Sequence, residues 1–302
     1  MSNPTSLSNP IWLITGASSG FGKSIAREAL SRGHRVIATA RSTSRLSALQ
    51  SLGASVLALD VTSSESDLAT VIREAASIYG GVSHVANCAG YILEGAVEET
   101  TEKEVHDVFS TNVFGTVNVA RAVVPYLREA ADRGGKPVMA TFGSMMSWWS
   151  SAAVSLYCST KFAVSGLTEG LYEEWKPFGI SVCCVEPGAT RTEFLSNRAE
   201  GGDHRIKTAK QLDVYQGTTA ASMREATDAY NGKQPGDVDR CAKAIVDVLT
   251  REGLSKGKEI PMRLALGSDC LATVRAKCES TLKLVEEWEE VTAYVDGEGA
   301  KH

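Results

Sequence analysis

Three features of this sequence predict an α/β fold on a doubly wound parallel sheet with helices on both faces. They are short β-branched runs alternating with longer helix-period segments, a glycine-rich turn after the first run, and polar or small residues ending successive runs. The runs at 11–15, 35–40, 55–59, 84–87, 138–142 and 180–185 are nearly continuous in apolar residues, as strands buried on both faces must be. Between them, 22–32, 65–79, 102–131 and 153–175 carry apolar residues at helical spacing. After Gly188, 191–235 is polar and glycine-containing with no long clean period, which predicts a mobile substrate lid. A helix over 238–251, a short strand over 259–264, and a last amphipathic helix bearing Leu271, Val274, Cys278, Leu282, Val285 and Trp288 close the chain. With 302 residues, 43% of them hydrophobic, one domain over 11–295 is expected, flanked by flexible ends at 1–10 and 296–302.

Thirty-one basic residues against 36 acidic give a formal charge of −5, and no basic run exists to neutralise a phosphate backbone. Nucleic acid is therefore not an expected partner. The N-terminal stretch is polar, and no run approaches the length of a bilayer span, so a soluble cytoplasmic protein with no membrane partner is expected. Seven scattered cysteines without CxxC or Cys/His spacing point to reduced thiols and no metal site.

The first strand runs into Thr15-Gly16-Ala17-Ser18-Ser19-Gly20-Phe21-Gly22 and then a helix, where a backbone must turn tightly and a ligand approaches closely. The free N–H groups of that helix start suit a pyrophosphate. A purely structural turn competes with this reading. So does a triphosphate P-loop, because Gly22-Lys23-Ser24 is followed downstream by Asp60, although Ala17 stands where that motif needs glycine. The second strand ends in Thr39-Ala40-Arg41 with no carboxylate to take both ribose hydroxyls, and Arg41 suits an adenosine 2′-phosphate, with Ser18 and Arg45 close enough in sequence to assist. The third strand leads to Asp60-Val61 and the fourth to Asn87-Cys88-Ala89-Gly90, at the sheet edge where ligands of open α/β sheets bind.

Tyr157 and Lys161 are one helical turn apart and share a face. A phenol with a pKa of roughly 10 is a poor acid or base near neutrality, and a neighbouring ammonium is expected to lower it. Ser144, after the fifth strand, can orient a substrate oxygen toward that phenol, with Ser147 as its rival. Asn112 falls on the apolar stripe of its helix, either as a helix-bending core amide or as a relay through water to Lys161. Met146 and Trp148, just after Ser144, and Phe194, which opens the lid, are expected to make an apolar substrate pocket.

Taken in order, Thr15-Gly-x-x-x-Gly-x-Gly22, Asp60, Asn87-Cys-Ala-Gly90, Asn112, Ser144, Tyr157-x-x-x-Lys161 and Pro187-Gly188 resemble the short-chain dehydrogenase/reductase family in its compact, single-domain form. The resemblance implies a Rossmann-type fold, a catalytic tetrad of Asn112, Ser144, Tyr157 and Lys161, and a nicotinamide dinucleotide. It further implies that Asn87 and Gly90 line the adenine and ribose side, while Pro187, Gly188, Thr190 and Thr192 hold the nicotinamide end. Cys88 departs from the commoner second asparagine of its motif. The tail, with Gly232-Lys-Gln-Pro-Gly236-Asp237 and Arg263-Leu-Ala-Leu-Gly-Ser-Asp269, is similar to a hydroxysteroid and retinol dehydrogenase-like branch found in fungi and bacteria. The expected function is thus an NADP(H)-dependent oxidoreductase acting on a carbonyl or alcohol of a bulky apolar substrate. A cofactor-binding protein without turnover is the main alternative, and a P-loop-like NTPase the next. Relatives of this compact form pair through the helices that here carry Asn112 and Tyr157, which implies a homodimer or homotetramer.

Overall fold

The structure, a computed structural model, describes residues 9–196 and 204–295. In chain order, β1 (Ile11–Thr15), α1 (Gly20–Ser31), β2 (Arg35–Ala40), α2 (Ser47–Ser51), β3 (Ser55–Ala58), α3 (Glu65–Tyr79) and β4 (His84–Asn87) form the first half. Then come β5 (Ile92–Glu94), α4 (Glu102–Phe109), α5 (Gly115–Asp132), β6 (Val138–Phe142), α6 (Ser155–Trp175), β7 (Ser181–Pro187), β8 (Thr190–Arg191) and β9 (Arg205–Lys207). The chain ends with α7 (Thr219–Tyr230), β10 (Gly236–Asp237), α8 (Val238–Thr250), β11 (Arg263–Leu266), α9 (Ser268–Glu287) and α10 (Glu289–Ala293).

Seven strands make one parallel sheet in the order β11-β7-β6-β4-β1-β2-β3. The strand order reverses between β1 and β4, and the crevice at that switch point is where such sheets take ligands. Alternate residues of β1 show why the runs read as continuously apolar. Trp12 and Ile14 face a core shared with α1 and α8, whereas Ile11 and Leu13 face one shared with α3, α5 and α6.

Several expected boundaries move, each for a local reason. The predicted helix over 102–131 is interrupted by a π-helical turn, Ser110–Phe114, which separates α4 from α5. The helix expected from 153 starts at Ser155, because Ala153 has φ 62. The last strand pairs Arg263–Leu266 with Cys184–Pro187, later than expected: Gly257, at φ 80, and Pro261, which has no N–H to donate, keep the preceding residues off the ladder. Asn9, expected to be flexible, donates from Nδ2 to the Gly33 carbonyl at 2.8 Å; residues 1–8 and 296–302 lie outside the described ones.

The segment expected to be irregular contains α7, Thr219–Tyr230. Met223, Ala226, Thr227 and Tyr230, at intervals of three and four, all face the main cavity. The segment is also fastened to the body. Its β9 pairs with β5, and its two ends are clasped where β8 pairs with β10. Arg205, almost fully buried, bonds Glu94 from Nε at 2.9 Å and Asp228 from Nη1 at 2.7 Å, while Arg224 pairs with buried Glu99. Residues 197–203 of the predicted lid lie outside the described residues.

All seven cysteines are unpaired thiols. Among the described residues, no helix is long and apolar enough to cross a membrane. The expected last helix ends at Glu287, with Trp288 at the break before α10, and its expected apolar positions face solvent: Leu282 is 63% exposed and Trp288 52%.

Candidate active site

A cavity of about 1320 Å³ opens along the carboxyl ends of β1, β2, β4, β6 and β7 and is roofed by α7 and its flanking loops. That exceeds the roughly 300–1,000 Å³ of a pocket for one drug-sized molecule, so a dinucleotide and a second molecule fit together.

At one end lies the glycine turn. Gly16 has φ 61, and a Cβ there would sit 3.0 Å from the backbone of Ala89, so β1 and the turn after β4 approach as only glycine allows. At Gly22 a Cβ would lie 2.6 Å from the Gly16 carbonyl oxygen. Gly16, Ser18, Ser19, Gly20, Phe21 and Gly22 all line the cavity. The first turn of α1 carries no acidic residue and no side-chain cap, because the Ser19 hydroxyl is 2.7 Å from His204 Nε2 instead. Such a helix start presents its N–H groups to an anion, so the residues present fit a pyrophosphate. Lys23, by contrast, is exposed and absent from the cavity wall, so the triphosphate reading of Gly22-Lys23-Ser24 loses its phosphate-binding side chain.

Arg41 and Arg45 lie on the wall past the end of β2, with Asp60 and Val61 beyond β3. Asp60 Oδ1 accepts from the N–H and hydroxyl of Thr62, at 2.9 and 2.7 Å. Asn87 is placed differently from expectation. Its Oδ1 accepts from the Thr15 hydroxyl at 2.7 Å, its side chain is buried beneath the floor, and the residues that reach the wall are Cys88, Ala89, Gly90 and Tyr91. A side chain ending a central strand has two ways to turn, and sequence does not say which.

At the other end α6 brings Tyr157 and Lys161 to the wall. Tyr157 is hydrogen-bonded to the Ser144 hydroxyl, and its ring centroid lies 5.7 Å from Lys161 Nζ. Lys161 donates to the Phe142 carbonyl at 2.7 Å. The expected lowering of the phenol is corrected here: burial pushes Tyr157 well above its ordinary value, and the Ser144 hydrogen bond offsets only part of that. Burial also lowers Lys161 from 10.5 to about 8. Ser144 opens a short 3₁₀ turn, where its Oγ accepts from Met146 N–H at 3.1 Å. Its rival Ser147 is turned inward and donates to the Lys161 carbonyl at 3.0 Å.

Asn112 sits inside the π turn, buried. Its Oδ1 accepts from Tyr91 N–H at 3.0 Å, and its Nδ2 donates to the Tyr91 carbonyl at 2.9 Å and to Thr160 Oγ1 at 3.0 Å. The amide thereby fixes the loop after β4 to the helix that carries Tyr157. A Cβ on Gly90 would lie 3.1 Å from Asn112 Oδ1 and 3.8 Å from Lys161 Nζ, so a side chain here would press on the Asn112 amide.

Pro187, Gly188, Thr190 and Thr192 line the cavity beyond β7. Asp269, from the start of α9, fills the space beside Gly188 and accepts from Ala189 N–H at 2.7 Å. Of the expected substrate residues, Met146 and Phe194 are on the wall, and the Phe194 ring packs 6.0 Å from that of Tyr157. Trp148 is not. Its Nε1 donates to Glu186 at 2.8 Å and its ring stacks on Arg263 at 3.8 Å, while exposed Trp149 lines the cavity in its place. The 3₁₀ turn sends adjacent side chains in different directions, and buried Glu186 draws the indole N–H inward. Tyr91, His204 and Ile206 also line the cavity and were not anticipated. No cluster of three or more His, Cys, Asp or Glu residues is placed to hold a metal among the described residues.

A family model described as short chain dehydrogenase matches residues 10–202. The chain is similar to oxidoreductase calM of Penicillium decumbens, 33% identical over 290 residues that cover 93% of this chain and 91% of that protein. It is also similar to a 3-ketodihydrosphingosine reductase of Bacteroides thetaiotaomicron, 40% identical over 190 residues, which are 62% of this chain and 66% of that protein. A solved short-chain dehydrogenase from Streptomyces avermitilis superposes with a TM-score of 0.83 at 35% identity, covering 97% of this chain and 100% of its own.

Proposed function

This chain belongs to the short-chain dehydrogenase family and is an oxidoreductase of that type, and we propose that it is an NADPH-dependent reductase of a bulky, apolar ketone. The observation that carries the proposal is the Tyr157 phenol, bonded to Ser144 and facing a cavity continuous with the uncapped start of α1. The nicotinamide cofactor, when bound, supplies the hydride. Ser144 and Tyr157 hold the carbonyl oxygen, and Tyr157 gives it a proton. Burial keeps the phenol protonated, the form that acts as the acid in reduction. Lys161 binds the cofactor ribose, and Asn112 acts as a positioning residue that fixes Tyr91 and α6. Ser18, Ser19, the glycines of the turn, Asp60, Val61, Ala89 and Gly90 take the adenosine and pyrophosphate, and Arg41 the 2′-phosphate. Pro187, Gly188, Thr190 and Thr192 take the nicotinamide end, and α7 with its flanking loops serves as the substrate lid.

Met145, Met146, Trp149, Val154, Phe194 and Met223 give the substrate end an apolar wall, which supports a ring-containing or long-chain ketone over a small keto acid. Turnover of a panel of ketones with NADPH is the direct test. Tyr157→Phe is expected to lower kcat by at least about a hundredfold while leaving cofactor affinity within about threefold. Near-normal turnover in that variant would overturn the mechanism. Tight cofactor binding without turnover of any ketone or alcohol would point to the silent cofactor-binding protein instead.

A further inference from the structure

From Arg275 to Val295 every residue is exposed, so α9 projects from the body on the contacts of its first turns alone. A helix of this length in water is marginal without a packed face, and α9 leaves Leu282, Leu284 and Val285 each more than half exposed, as are Trp288 at its end and Val291 in α10. Along the exposed stretch the basic residues Arg275, Lys277 and Lys283, with Glu279 among them, precede Glu286 and Glu287 at the end of α9 and Glu289 and Glu290 in α10.

We propose that the exposed apolar side of α9 and α10 packs against the same side of a second copy of this chain, antiparallel, about a two-fold axis near Leu282. That arrangement sets Arg275 and Lys277 of each copy opposite Glu289 and Glu287 of the other, and brings Val274 and Cys278 beside the partner's Trp288 and Val285. A parallel pair would place four carboxylates against four, at a like-charge cost. The acidic end also disfavours an anionic membrane surface as the occupant. The surface is separate from the cavity, so the inference stands apart from the proposed activity. It also differs from the pairing through α5 and α6 that the family resemblance implies.

Light scattering on the whole chain and on a chain ending after Val274 tests it, since the residues removed are all exposed or lie outside the described ones. The assembled mass is expected to halve on shortening, with ketone reduction retained. Arg275→Glu with Lys277→Glu should also halve the mass, and adding Glu287→Lys with Glu289→Lys should restore it, an outcome that a merely sticky tail would not give. In a Cys278→Ser background, Leu282→Cys should oxidise to a cross-linked pair on a non-reducing gel, whereas a parallel pair would instead cross-link the unmodified chain through Cys278. An unchanged mass on shortening, a monomeric whole chain, failure of the charge swap, or tail-dependent binding to phosphatidylcholine vesicles by a chain that does not self-associate would each overturn the proposal.

Discussion

Lys161 has ribose binding as its duty in the proposed chemistry, and its burial makes that duty sensitive to pH. Its ammonium is lowered from 10.5 to about 8, so the charge is present below pH 8 and lost as pH rises through that value. The KM for NADPH is therefore expected to climb above pH 8, while Tyr157, shifted the other way, stays protonated and kcat for reduction holds. A KM flat to pH 10 would show that the charge is not used. Arg41 decides a different property. Its position past β2, where no carboxylate repels a 2′-phosphate, predicts NADPH binding tighter than NADH by about ten- to a hundredfold, from a charge-assisted contact of roughly 1.5–3 kcal/mol. In Arg41→Ala most of that difference should vanish through weaker NADPH binding, measured as the two dissociation constants. Equal constants in the unmodified protein would remove the basis for the assignment.

At the scale of elements, the 3₁₀ turn after Ser144 separates two adjacent indoles into different roles. Trp148 is held between Glu186 and Arg263, so Trp148→Ala should cost about 3 kcal/mol in urea unfolding, as truncation of a packed tryptophan does. Trp149→Ala should change stability by less than about 0.5 kcal/mol but raise KM for bulky ketones. The reverse pattern would mean the two are misplaced. This pair also shows where the sequence was legible and where it was not. Tyr157 and Lys161 could be brought together from spacing alone, because a helix fixes which residues share a face. Trp148 and Trp149 could not, because a single irregular turn has no period, and Asn87 failed for a similar reason at a strand end. The cavity face of α7 was readable in principle from Met223, Ala226, Thr227 and Tyr230. It was hidden by the polar residues around it, which contact water on the other side.

At the scale of the whole molecule, the core beneath the sheet carries a titratable liability. His84 is buried against Trp12, with ring centroids 4.8 Å apart and Nδ1 2.9 Å from the Ser83 hydroxyl; burial, helped by the charge of nearby His34, lowers it from 6.5 to about 3. Its folded pKa lies below the unfolded value, so between those limits the unfolded chain binds the extra proton. Stability is full above pH 6.5 and falls toward pH 3, by about 1.4 kcal/mol per pH unit from this group. Urea midpoints at pH 7.5, 5.5 and 4.5 should show that slope, and His84→Gln should flatten it. Parallel slopes in the two proteins would assign acid sensitivity elsewhere.

The short clasp of β8 on β10 joins Thr190 to Gly236 and Arg191 to Asp237, so the chain between them leaves and re-enters the body at one place. That stretch is a closed loop on the finished sheet, because β7 and β11, which flank it in sequence, are already neighbours. Doubling the length of such a loop costs only about 0.6 kcal/mol in closure entropy. It is, in effect, a cassette pinned by Arg205 on Glu94 and Arg224 on Glu99: exchanged with those pins kept, it would change the shape of the accepted ketone while the sheet, Tyr157 and the chemistry stayed the same.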